Sequence, residues 1–224
     1  MKYVKDDPAF TEAMEELLMG DQAVAKDCFL RLEERYPDDE HITYHLAIIF
    51  YGIGDLEKSI EYCKKTIALR EDSGNAHYRM GVCYFRMGKF ADALREFKVS
   101  TQIEGSLQAM VYYYMGLISM YVGDDDDAID YFGQLRQASP QTKMALFLEA
   151  QLRIKKRAFD PAVELLLEFL EGSPDFAEAH HMLGVAYMGL HENMKALCAF
   201  SKALELDPDD KRSARAVDRL TDPY

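Results

Sequence analysis

Met80-Gly81-Val82-Cys83-Tyr84-Phe85-Arg86-Met87-Gly88-Lys89-Phe90-Ala91-Asp92-Ala93-Leu94-Arg95-Glu96-Phe97 is the stretch that decides the fold. Apolar residues at helical spacing flank Gly88-Lys89, so the segment reads as a helix, a tight turn and a second helix. Three marks stand out: Gly81 in the first helix, then Ala93 and Phe97 in the second. Each recurs along the chain. The first series is Ala13, Ala47, Gly81, Gly116, Ala150 and Gly184. The second is Ala25, Ser59, Ala93, Ala128, Ala162 and Ala196, and the third is Phe29, Cys63, Phe97, Phe132, Leu166 and Phe200. All three share the spacings 34, 34, 35, 34 and 34. Three series carrying one common single-residue insertion define a repeat.

Within the unit 74–107 the spacing predicts a first helix over about 75–87 and a second over about 91–103. Gly20, Gly54, Gly88 and Gly123 fall at the turn of successive units, where a residue free to take positive φ ends the first helix. Pro37, Pro140, Pro174 and Pro208 fall just after the second helix, which proline cannot continue. The small residues have a steric reason. Two helices approach to about 8 Å only where the crossing carries little side chain, and a large residue beside it then fills the gap.

The pattern Met80-Gly81, Tyr84, Gly88, Phe90, Ala93, Phe97, with a helix ending before Gly105, resembles a tetratricopeptide repeat. The unit 177–210 is more similar still, through Leu183-Gly184, Tyr187, Ala196, Phe200, Ala203 and Pro208. The resemblance implies an all-α, right-handed superhelical solenoid forming a single array over 1–224. Its six helix-turn-helix units are 6–39, 40–73, 74–107, 109–142, 143–176 and 177–210, and 211–224 supplies a C-terminal capping helix. There are departures from the family pattern. No unit carries the tryptophan often found near the motif's start; Ala9, Thr43, His77, Tyr112, Leu146 and His180 stand there instead. Glu12 and Glu16 occupy apolar places of the first unit. Glu149 and Arg153 occupy the same places of the fifth, four residues apart and able to pair across one helical turn. In the tail, Ala214, Val217 and Leu220 are spaced to cover the last hairpin, with Lys211, Arg212, Arg215 and Arg219 outside.

Composition narrows the function classes. The chain is 49% apolar and 29% charged, with a net charge of −13. Nucleic acid is excluded as a partner, because phosphates need clustered Lys and Arg. No run of 18 apolar residues is present, so membrane insertion is not expected. The opening residues, with Lys2, Lys5, Asp6 and Asp7, show no secretory pattern. Cys28, Cys63, Cys83 and Cys198 lack metal spacing and sit in apolar helical patterns, so they read as buried thiols of a cytoplasmic protein. No nucleotide-loop, dinucleotide, nucleophile-elbow or zinc-protease motif occurs. Asp124 to Asp127 lack the alternation of a calcium loop and suit a helix N-terminus instead. His41 and His45 share a helix face but offer only two ligands, while His180 and His181 diverge. Neither a metal nor another cofactor is expected, and the chain reads as a non-enzyme.

In the family that the chain resembles, first helices line a concave face, with contacts made from places three and four apart. The resemblance therefore implies a peptide-binding groove of Tyr44, Ile48 and Tyr51; Tyr78, Arg79, Val82, Phe85 and Arg86; Tyr113, Tyr114, Leu117 and Tyr121; Phe147, Leu148 and Lys155; and Met182. The fifth places alone form the ladder Phe10, Tyr44, Tyr78, Tyr113, Phe147, His181. Such a ladder is either packing between units or a binding surface, and both readings stand at this point. As a surface it fits an apolar or amphipathic segment of another protein or peptide, with Arg79, Arg86 and Lys155 orienting acidic residues. A chaperone's acidic C-terminal tail fits poorly, since the fifth places are aromatic and the ninth places hold no Asn. Self-association through the groove and an accessory chaperone role for an apolar export substrate are the alternatives.

Overall fold

A computed structural model describes residues 4–103 and 107–222 of the chain. After one 3-10 turn (Val4–Asp6), the described residues form thirteen α-helices and no strand. They are α1 (Pro8–Met19), α2 (Gln22–Arg35), α3 (Glu40–Gly52), α4 (Leu56–Leu69), α5 (Gly74–Arg86), α6 (Phe90–Gln102), α7 (Gln108–Val122), α8 (Asp125–Ala138), α9 (Met144–Lys155), α10 (Phe159–Gly172), α11 (Ala177–Gly189), α12 (Asn193–Leu206) and α13 (Lys211–Thr221). The chain divides into two compact units, Met1–Tyr114 and Met115–Tyr224, with the boundary inside α7. Among the described residues no helix is long and apolar enough to cross a membrane.

Local chemistry sets where the helices start and stop. Asp7, Asp21, Asp39, Asp55, Asp124 and Asp210 each precede a helix and accept a hydrogen bond from one of its first free N–H groups. That satisfies donors with no partner inside the helix and places a negative charge at the positive end of its dipole. Asp124 of the acidic run is therefore a cap, while Asp125 and Asp126 pair with Lys155 and Lys156. Pro37, Pro140, Pro174 and Pro208 each come two residues after a second helix has ended. Helix α6 ends at Gln102, and Gly105 lies outside the described residues. The four turn glycines have φ between +70° and +89°. At the equivalent turns of the last two hairpins the left-handed residues are Arg157 (φ 60°) and His191 (φ 61°), a strained choice for a residue with a Cβ.

Within each unit, successive helices pack in chain order. First helices also touch one another, α3 against α5 and α9 against α11. The crossing inside each hairpin is where the three sequence series meet. Every small residue of the second series is fully buried, and so are Phe29, Cys63, Phe97, Phe132 and Leu166. A Cβ added at Gly81 would stand 2.6 Å from the Phe97 ring, and the same holds for Gly116 against Phe132, with Gly184 2.7 Å from Phe200. Size is thus conserved in pairs. Glycine faces phenylalanine, whereas Ala47 and Ala150 belong to hairpins carrying the smaller Cys63 and Leu166; Ala13 with Phe29 is the exception. Ser59, the one hydroxyl in the second series, donates to the Ala47 carbonyl at 2.7 Å and accepts from the Cys83 thiol. A polar atom is tolerated in the core because it is satisfied.

One expectation is corrected. Cys198 is exposed, and Cys28 is half-buried; Cys63 and Cys83 are the buried thiols. The places equivalent to Cys198 hold Asp27, Glu61, Arg95, Asp130 and Glu164, which shows that this position belongs to the solvent face of the second helix. In α13 the residue set deepest is Ser213, fully buried, while Ala214, Val217 and Leu220 are half-buried. Ser213 donates to Asp210 at 2.7 Å and lies 2.8 Å from His181 Nδ1, so a polar network as well as an apolar stripe anchors the helix.

Candidate functional site

In the N-terminal unit, α3 and α5 lie side by side, and the first turns of α7 bring Tyr113 and Tyr114 up to α5. Tyr114 stacks on Phe97 (5.6 Å, 14°) and meets Phe85 at 5.2 Å, Tyr78 at 6.2 Å and Tyr113 at 5.8 Å. This cluster separates the groove residues by depth. Tyr78 and Val82, at 7% and 2% exposure, are core residues. Tyr44, Ile48, Tyr51, Arg79, Phe85, Tyr113 and Tyr114 are half-buried, and Arg86 is exposed. The ladder of fifth places is thus partly packing: Phe10 meets the Phe29 ring at 5.8 Å, and Phe147 packs on Phe169 and Phe176.

Charge enters the face on α5. The guanidinium carbons of Arg79 and Arg86 lie 4.7 and 4.9 Å from the centre of one ring, that of Tyr51. Burial pushes the Tyr44 phenol up, while the charge and hydrogen bond of Arg79 pull it down. Tyr78 is pushed up to about 12, chiefly by burial and then by Tyr114. Tyr114 moves the same way through burial, then through Tyr51 and Tyr113, with Arg79 and Arg86 opposing. The phenols therefore stay neutral near pH 7 and present apolar ring surface with hydroxyl groups attached.

In the C-terminal unit, Phe147 and Met182, at 9% and 7% exposure, are buried in the core around Leu146, Leu166 and Leu183. Leu117 and Leu148 are half-buried, and Tyr121 is 71% exposed. Lys155, expected to orient acidic residues of a ligand, has its Nζ 2.7 Å from Asp125. Glu149, only 3% exposed, accepts from Arg153 at 3.0 Å and has Arg136 Nε at 3.3 Å. The expected pair is thus a triad in the hairpin packing. A further concavity of about 460 Å³ lies on the last hairpin, lined by Leu183, Tyr187, Met194, Cys198 and flanking lysines. Its only signal in the sequence is the apolar Met194 and Cys198 on an otherwise charged helix face.

No group of three or more His, Cys, Asp or Glu gathers as a metal site among the described residues. His45 Nδ1 already donates to the His41 carbonyl at 2.6 Å, and its ring stacks on Phe29.

Comparison with known proteins agrees with the geometry. Family models described as tetratricopeptide repeat match residues 10–76, 75–99 with 107–142, and 177–210, well over half of the chain. In sequence the chain is 25% identical over 153 residues to anaphase-promoting complex subunit 3 of Schizosaccharomyces pombe, covering 68% of this chain and 23% of that protein. It is 21% identical over 173 residues to the BBSome complex member BBS4 homolog of Drosophila melanogaster, covering 72% of this chain and 35% of the relative. The chain thus spans about a third or less of the length of these relatives. In structure it resembles YrrB, a TPR protein with an unusual peptide-binding site, at TM-score 0.75, 20% identity and coverage of 84% and 96%. It also resembles pilF of Pseudomonas aeruginosa, at TM-score 0.73, 16% identity and coverage of 92% and 94%. Paired helices of fixed repeat length, small residues at each crossing and three family matches along the sequence make one statement: the chain belongs to the tetratricopeptide repeat family.

Proposed function

We propose that this chain is a non-catalytic interaction scaffold of the cytoplasm, and that the first-helix face of its N-terminal unit holds an apolar or amphipathic segment of a partner protein. The observation that carries the reading is the half-buried cluster of Tyr44, Ile48, Tyr51, Phe85 and Tyr113 beside Arg79 and Arg86. Tyrosines fixed by stacking offer large contact area at little entropic cost, which is the composition of binding hot spots. The named relatives support a protein or peptide partner in general. Two are subunits of assemblies, and YrrB is described by its peptide-binding site.

The reading is tested by selecting binders from a random peptide library on the full chain and mapping them by hydrogen exchange. Protection over α3, α5 and the start of α7 is expected. Tyr51→Ala and Tyr113→Ala should each abolish binding while leaving the melting temperature within a few degrees of the parent. Binders that protect other surfaces, or binding that survives both substitutions, would refute this assignment. Light scattering on the same sample addresses self-association: polymers growing with concentration, and disrupted by Tyr51→Ala, would mean that a second copy fills the face.

A further inference from the structure

Among the described residues Arg79 and Arg86 are arginines without an acid. The chain has 39 acidic residues and 26 Lys and Arg, and other arginines use that excess: Arg35 reaches Asp7 at 2.8 Å and Arg95 reaches Asp92 at 2.8 Å. Among the described residues neither Arg79 nor Arg86 has a carboxylate within the 4.0 Å of an ion pair. Arginines unpaired elsewhere, such as Arg31, Arg157, Arg215 and Arg219, are exposed, so water solvates them. Arg79 is different. It is half-buried, and its Nε is buried with no hydrogen-bond partner among the described residues.

Two cations share the Tyr51 ring, and the contacts that hold them do not neutralise them. Stacking on an aromatic ring occupies the flat face of a guanidinium and leaves in-plane N–H donors open to a further acceptor, beyond the hydrogen bond that Arg79 gives Tyr44. Those donors form the fork that a carboxylate accepts in bidentate fashion. A buried donor without an acceptor is costly, and two like charges held at one ring repel. An incoming carboxylate relieves both at once.

From this, and resting on the peptide-docking reading above, we infer that the partner segment carries an aspartate or glutamate side chain that seats on Arg79 and Arg86 over Tyr51, with its apolar neighbours on Ile48, Phe85 and Tyr113. The net charge of −13 sets the complement of this preference. A strongly acidic segment is repelled by the rest of the molecule, so the ligand has one or two acidic residues in an otherwise apolar or basic context. Carboxylate recognition here is local and does not depend on a free chain terminus.

The test is a random peptide library displayed with its C-termini fused to the carrier, so that every carboxylate offered is a side chain. It is selected in parallel on the full-length parent and on the Arg79→Gln, Arg86→Gln double variant. The parent pool is expected to be enriched in Asp or Glu at one fixed position next to apolar residues, and the variant pool to lack that enrichment. In a synthetic copy of a selected peptide, replacing the acidic residue by its amide should weaken binding at least about ten-fold. If the double variant does not fold, Arg86→Gln alone, at an exposed position, serves in its place. A parent pool with binders but no acidic preference, or a preference unchanged in the variant, overturns the inference and leaves the docking face standing. A parent pool with no binders overturns the docking face itself.

Discussion

Replacing Gly81 by alanine tests the crossing on which every hairpin depends. Gly81 lies inside α5, and alanine is a better helix former than glycine by about 1 kcal/mol. On propensity alone the substitution stabilises. The crossing opposes it, because the new Cβ would stand 2.6 and 2.7 Å from two carbons of the Phe97 ring. That ring is fully buried and stacked by Tyr114 on one side, so it has no easy retreat. Overpacking of this kind costs about 1–3 kcal/mol, and the net expectation is a loss of about 0–2 kcal/mol. A large part of the conflict should disappear once the ring edge is removed. In a Phe97→Leu background Gly81→Ala should therefore regain the propensity term, making the coupling between the two sites about 1–3 kcal/mol. Gly133 on α8 is the internal control. Among the described residues no atom beyond its own helix backbone and chain neighbours stands within 4 Å of an added Cβ there, and Gly133→Ala should stabilise by about 1 kcal/mol. Urea titrations of the four chains of the cycle and of the control give these differences, provided the slopes agree. A Gly81→Ala effect equal in both backgrounds, or a stabilisation in the parent matching the Gly133 control, would refute the steric account.

Three other outcomes are expected. Arg157→Gly and His191→Gly relieve left-handed backbone at the last two hairpin turns and should each raise stability by about 0.5–1 kcal/mol, read as a higher melting temperature. Glu149→Ala removes a carboxylate that is 3% exposed and faces Arg136 and Arg153; the arginines can still reach water, so a loss of about 1–3 kcal/mol is expected by urea titration. The third concerns acid. Burial, then the charge of Arg212, lowers the His181 pKa below the usual value, against Asp210 and Glu178. The undocked chain therefore takes up the proton first, and the docking of α13 weakens as pH falls below about 6.5. Burial raises the Asp210 carboxyl, but hydrogen bonds from Ser213 and Arg212 outweigh it and hold the group at about 2. Its contribution is complete above about pH 4 and lost as pH falls toward about 2. Amide exchange in α13, corrected for intrinsic rates, should quicken between about pH 7.5 and about pH 5.5 in the parent and not in His181→Gln; unchanged protection in the parent would refute the His181 account.

The sequence by itself determined the helices, their turns and the crossing inside each hairpin. These depend on properties that repeat with the chain: a small residue at one place, a ring sixteen places on, a glycine or proline at a boundary. Helical period fixes the direction of a side chain about its own axis, and for Gly81, Ala93 and Phe97 that direction is already the whole environment, since the partner helix follows within the same unit. The candidate site was legible only as a list of first-helix positions, because depth depends on what neighbouring helices bring. Tertiary structure alone separated buried Tyr78, Val82, Phe147 and Met182 from half-buried Tyr44, Tyr51 and Tyr113. It alone gave Lys155 to Asp125 and set Arg79 and Arg86 over Tyr51. Arg79 and Tyr51 are 28 residues apart and on different helices. No periodicity within one helix can say which ring a cation on the next will meet, because that contact is set by the offset between hairpins and by the volumes packed beneath them.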